Sequence, residues 1–157
     1  MNKTPISRIF PAGIFVLLLF AAGSLYGQRA TLSISPTSIS FAAADPDTSP
    51  TITAGQVVTV TMRTQNSSGR TWQLTLRANG NLSDATTTAT IAISNVSWTA
   101  TPSPFQAGTL AAGVAQIAAA DKDNDILTGY LTFVFKNLWT YWAGSYTQTV
   151  TVTLAIY

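Results

Sequence analysis

From Tyr146 to the end of the chain, apolar and polar residues alternate with a period of two. Tyr146, Gln148, Val150, Val152, Leu154 and Ile156 hold one parity, and Thr147, Thr149, Thr151, Thr153 and Ala155 the other. Successive side chains of a strand point to opposite faces, so this stretch predicts a strand with a greasy face on a core and a threonine ladder outside. It is longer than the usual strand of about five or six residues. The same period places Val58, Val60 and Met62 on one face of residues 56–64, and Trp72, Leu74 and Leu76 on one face of residues 71–78. Residues 128–136 are apolar on both parities, as a central strand would be. Ile91 and Ile93 share a parity that Val96 and Trp98 do not, which predicts a bulge or break near Asn95. Parity also shifts across Pro36, the mark of a chain that crosses from one sheet to another. Residues 114–120 read as an alanine-rich edge strand, with a short helix as the alternative. Turn signals separate these stretches at residues 43–50, 66–70 and 79–84. The pattern predicts an all-β fold, an immunoglobulin-like β-sandwich of about seven to nine strands, with a closed barrel as the competing choice. Its expected core is Trp72, Leu74, Leu76, Phe133, Phe135, Val150, Val152 and Leu154.

The first 27 residues follow another pattern. Lys3 and Arg8 precede a nine-residue apolar run at 14–22, and the small residues Gly23, Ser24 and Gly27 follow. This is the layout of a secretory signal peptide, and the run is too short to span a bilayer. Cleavage is expected after Gly27, with Gly23 as the alternative site and an uncleaved anchor helix as the plainer reading. That leaves residues 28–157 as one β-sandwich domain, secreted to the cell surface or beyond it. Removing the leader also removes Lys3 and Arg8 from the eight basic residues. Six basic residues then balance six aspartates, so the net charge falls from +2 to zero. A neutral surface argues against nucleic acid or anionic membrane as a partner, and it favours self-association.

Residue types narrow the chemistry further. The chain has no His, Cys or Glu, which excludes a Ser-His-Asp triad, a thiolate nucleophile and an imidazole metal site. A non-enzyme is expected, with no cofactor. Without disulfides, strand pairing and packing must supply stability. Asp121, Asp123 and Asp125 stand at alternate positions, where carboxylates can converge on Ca²⁺. The EF-hand pattern fails there, since Ile126 and Thr132 replace its glycine and bidentate glutamate, and a solvated turn is the plainer reading. Trp72 and Trp98 fall on strand patterns and read as core. Trp139, Tyr141 and Trp142 crowd one loop before a glycine, so they read as surface aromatics able to stack on a sugar ring. Within residues 28–157, glycosylation sequons begin at Asn66, Asn81 and Asn95.

Residues 137–141 (NLWTY) and 143–152 (AGSYTQTVTV) resemble the ending of secreted spore coat U-like and fimbria-like bacterial proteins. The stretch is also similar to the terminal signature of chaperone–usher pilin subunits. Gly144 is fourteenth from the end, an alternating strand follows it, and an aromatic lies near the terminus. Two features depart from those families: Tyr157 is last rather than next to last, and the disulfide they usually carry has no cysteine here. The resemblance implies a structural subunit of an extracellular filament, pilus or coat, joined to copies of itself by strand addition. It also brings in a periplasmic chaperone and an outer-membrane usher as partners. On this reading Gly144, Tyr146, Val150, Val152, Leu154 and Ile156 belong to the assembling strand. Cleavage would free residues 28–36 as a donor arm, with Leu32 and Ile34 as its knobs and Pro36 as its hinge. The plainer alternative makes that arm the first strand of its own sandwich. For the whole chain, the alternative is a monomeric surface module that binds glycans.

Overall fold

A computed structural model describes residues 15–23, 30–64, 71–122 and 126–157. In chain order its strands are β1 (Phe15–Gly23), β2 (Ala30–Ser35), β3 (Ser38–Phe41), β4 (Thr51–Thr53), β5 (Val58–Thr64) and β6 (Thr71–Ala78). They continue with β7 (Leu82–Asp84), β8 (Thr90–Ile91), β9 (Val96–Thr101), β10 (Gly108–Thr109), β11 (Gln116–Lys122), β12 (Ile126–Lys136) and β13 (Tyr146–Ile156). Two sheets result. One runs β11-β6-β13-β1-β3, with β7 continuing along the start of β13 and β8 beside β7. The other runs β10-β9-β12-β5-β2, with β4 continuing beyond β5 along β12. No α-helix occurs among the described residues, and so no helix there is long and apolar enough to cross a membrane.

Alternation decides which face each strand turns inward. β6 buries Trp72, Leu74, Leu76 and Ala78, β5 buries Val58, Val60 and Met62, and β13 buries Tyr146, Val150, Val152 and Leu154. β12 adds Leu131, Phe133 and Phe135 from the middle of the second sheet. All eight expected core residues are buried. The rings of Phe41 and Phe135 lie 5.9 Å apart and join one sheet to the other in a tilted contact. Aromatic payload of this kind supplies the packing that a chain without disulfides needs.

The parity shifts have concrete causes. Ile93–Asn95 forms a single 3₁₀ turn, which rotates the chain so that Val96 and Trp98 face inward on the new parity. Across Pro36 the chain leaves the second sheet at β2 and enters the first at β3. β11 is an edge strand, with an irregularity between Ile117 and Ala119. Eight strands of four or more residues lie beyond residue 29, and β4, β7, β8 and β10 add short pieces of two or three residues. The turn at 66–70 and the expected cleavage sites near Gly27 lie outside the described residues.

The first nine described residues, Phe15–Gly23, cover most of the apolar run at 14–22 that is expected to belong to a leader, and they form a strand inside the first sheet. It pairs parallel to β13 from Val16↔Thr147 to Gly23↔Leu154 and antiparallel to β3 from Phe15↔Phe41 to Leu18↔Ser38.

Candidate functional site

β13 carries no charged side chain, and neither do β1 and β3. One edge of β13 is covered by β6, antiparallel from Val150↔Ala78 to Ile156↔Trp72. Among the described residues its other edge meets only β1, and β3 lies one strand further out. β13 and β3 are therefore separated by a slot about two strand spacings wide, roughly 10 Å, which β1 fills. Leu17 and Leu19 point into the core at 1% and 3% exposure, while Leu18 between them is 42% exposed. The Leu19 N–H donates to the Thr37 carbonyl at 2.8 Å. The slot thus takes an uncharged strand with a large apolar residue at every second position, and backbone hydrogen bonding on both sides holds it.

The loop leading into β13 is fastened by Asp84. This buried carboxylate accepts hydrogen bonds through Oδ1 from the Thr86 hydroxyl at 2.6 Å, the Thr86 N–H at 2.7 Å and the Thr87 N–H at 3.0 Å. Its Oδ2 accepts from the Ser145 N–H at 2.8 Å. The Thr86 hydroxyl, aided by the backbone donors, holds the Asp84 carboxyl below the usual range, with burial opposing in part. A Cβ at Gly144 would run into Asp84 Oδ2, so the close approach requires glycine there. Tyr146 follows, its hydroxyl donating to the Trp142 carbonyl at 2.9 Å. Burial, then the Asp84 charge, raise the Tyr146 phenol above its ordinary value.

Of the residues expected in assembly, Tyr146, Val150, Val152 and Leu154 line the inner face of β13 and Ile156 is half-buried at its end. Gly144 sits at its mouth against Asp84. Leu32 and Ile34 lie elsewhere. They are half-buried on β2, paired along β5 as the edge strand of the opposite sheet. In this structure the slot is filled by Phe15–Gly23 instead. Periodicity could not have found that strand, because a continuous apolar run carries no alternation to place it.

The loop aromatics divide. Trp142 is 80% exposed and Trp139 is 54% exposed, although the Trp139 indole N–H donates to Asp47 Oδ1 at 2.8 Å. Tyr141, expected at the surface with them, is half-buried against the Phe135 ring at 5.7 Å. Burial raises its phenol pKa, and its hydroxyl has no partner among the described residues. The buried Asn137 pins this loop, its side-chain amide donating to the Ala44 and Ser49 carbonyls at 3.0 Å each. Of the aspartates weighed as Ca²⁺ ligands, Asp123 and Asp125 lie outside the described residues, and the Asp121 carboxylate accepts from the Lys122 N–H at 2.8 Å. Among the described residues no three acidic, His or Cys side chains gather as a metal site would. No protein-family model, curated protein or solved structure matches this chain.

Proposed function

We propose that the chain is a structural subunit of an extracellular filament, pilus or surface coat, built on an immunoglobulin-like β-sandwich and joined by β-strand addition. The observation that carries this reading is the place of β13, the middle strand of its sheet, which owes the partner along one of its two edges to Phe15–Gly23. Were those residues to leave with an export leader, β13 and β3 would each present a bare edge above an apolar floor. A strand from another subunit would satisfy both edges. The donor on this reading is residues 28–36, the segment beside the new N-terminus. Its knobs Leu32 and Ile34 are spaced two apart, like Leu17 and Leu19. As β2 it is held along one edge only, with both knobs half-buried, so its release disrupts little of the core. Donor and acceptor surfaces differ, so the contact runs head to tail and propagates instead of closing. A periplasmic chaperone and an outer-membrane usher are partners of a kind that would hold such a slot until assembly.

Negative-stain imaging of the exported protein tests this directly, and fibres are expected. The paired substitution Leu32→Ser and Ile34→Ser should leave a cooperative melting transition but no fibres. Fibres formed by that variant would rule out the arm as donor, and an exported parent that stays monomeric at high concentration would rule out the filament.

A second reading rests on Trp142, whose exposure is unusual for so large an apolar ring. With Trp139 it offers a stacking platform for a sugar, and the chain would then be a monomeric surface module that binds glycans. Trp142→Ala should abolish retention on immobilised polysaccharide while leaving the melting temperature unchanged. Failure of the parent protein to bind across a broad glycan panel would end this reading.

A further inference from the structure

We infer that Phe15–Gly23 is a removable strand: in the uncleaved chain it occupies the slot between β13 and β3, and its excision converts a closed subunit into one that accepts a strand. The inference rests on the reading of residues 1–27 as a cleaved leader.

The occupant is bound as a strand of the fold and not as a loose tail. It is registered against β13 over eight residues and against β3 over four. Leu17 and Leu19 are as well buried as core residues, and Leu18 turns outward. Its covalent link to the rest of the sandwich is the stretch between Gly23 and Ala30, where the expected cleavage site lies. With no cysteine in the chain, no disulfide can hold it after the cut. Hydrolysis of the Gly27–Gln28 bond by an endoprotease consumes one water and leaves a carboxylate on Gly27 and an ammonium on Gln28. From then on the strand is held by non-covalent contacts alone, and it can be exchanged. Until then it blocks the β13 edge that any incoming strand must use, because the two would compete for the same backbone groups. Cleavage therefore controls access to the slot, as removal of a pro-segment does in other switches.

The test uses the full chain with a specific protease sequence in place of residues 24–29 and with Leu18→Cys and Thr149→Cys. These two positions are paired across β1 and β13 on the outer face. Because the parent lacks cysteine, any disulfide that forms reports this register. The probe is a labelled synthetic peptide of Phe15–Gly23 with two added lysines for solubility. We expect the disulfide to form in the uncut chain. After cutting, the oxidised protein should keep its fragment and refuse the peptide. The reduced protein should release the fragment on gel filtration and capture at least tenfold more peptide. A cut chain without the cysteines should match the reduced one, which guards against misfolding of the variant. Absence of the disulfide would overturn the inference, as would a fragment that never exchanges or a fold lost on reduction that added peptide does not restore. Peptide capture with no filament under any condition would support the inference and sink the filament reading alone.

Discussion

Asp84 fastens the turn after β7 to the residue that launches β13, through Thr86, Thr87 and Ser145. These donors stabilise the charged form, so the folded-state pKa lies below the unfolded one. The stability they confer is fully present above the unfolded value and is lost as pH falls through the folded one. Asp84→Asn should therefore melt below the parent at neutral pH and lose less on acidification from pH 7 to about pH 3. Equal slopes in thermal melts across that range would show that the clasp contributes nothing. Gly144→Ala attacks the same contact sterically. Its methyl would meet Asp84 Oδ2, and a cost of about 1–3 kcal/mol is expected in urea unfolding. The sequence marks Gly144 by its spacing from the end, but not its partner. Asp84 lies sixty-one residues from Ser145, and no periodicity joins two loops across a sheet. Gly129, whose Cβ would strike the Phe105 ring, was hidden for the same reason.

At the level of strands, alternation was legible wherever one face meets the core and the other meets water. β5, β6 and β13 bury the residues their parity predicts. Leu76→Ala should therefore cost about 2–5 kcal/mol in chemical denaturation, and an unchanged midpoint would refute the inward face of β6. β4, β7, β8 and β10 were not legible, because two or three residues are too few to show a period. They exist because a passing chain finds a longer strand to pair with. β1 was illegible for a deeper reason. Nine residues from Phe15 to Gly23 are almost wholly apolar, a composition that suits an export leader and a buried strand alike. Only the lane between β13 and β3 decides where such a strand can go, and that lane is a property of the whole sheet. The slot itself was half legible: the long terminal strand announced that its pairing mattered, but its partner did not announce itself.

For the molecule as a whole, the proposed reading makes the slot the seat of both stability and assembly. Fully burying a leucine contributes about 1.5–3 kcal/mol, so losing the buried Leu17 and Leu19 removes about 3–6 kcal/mol before any ladder hydrogen bonds are counted. Domains of this size are stable by only about 5–15 kcal/mol. A subunit with an empty slot would thus keep a smaller margin of stability, and a strand that refills the lane would restore it. Calorimetry should find that assembled subunits melt well above free cleaved ones, and equal melting temperatures would mean that no strand is shared. Charge would play little part in such joining. Were residues 1–27 cleaved away, six basic residues would balance six aspartates, and β1, β3 and β13 carry no charge at all. Apolar knobs and backbone groups would bring subunits together, and neither is screened by salt as ion pairs are. Light-scattering growth rates at about 0.01 M and 0.15 M salt should accordingly agree within about twofold. A tenfold slowing at the higher salt would show that opposed charges, not an added strand, join the subunits.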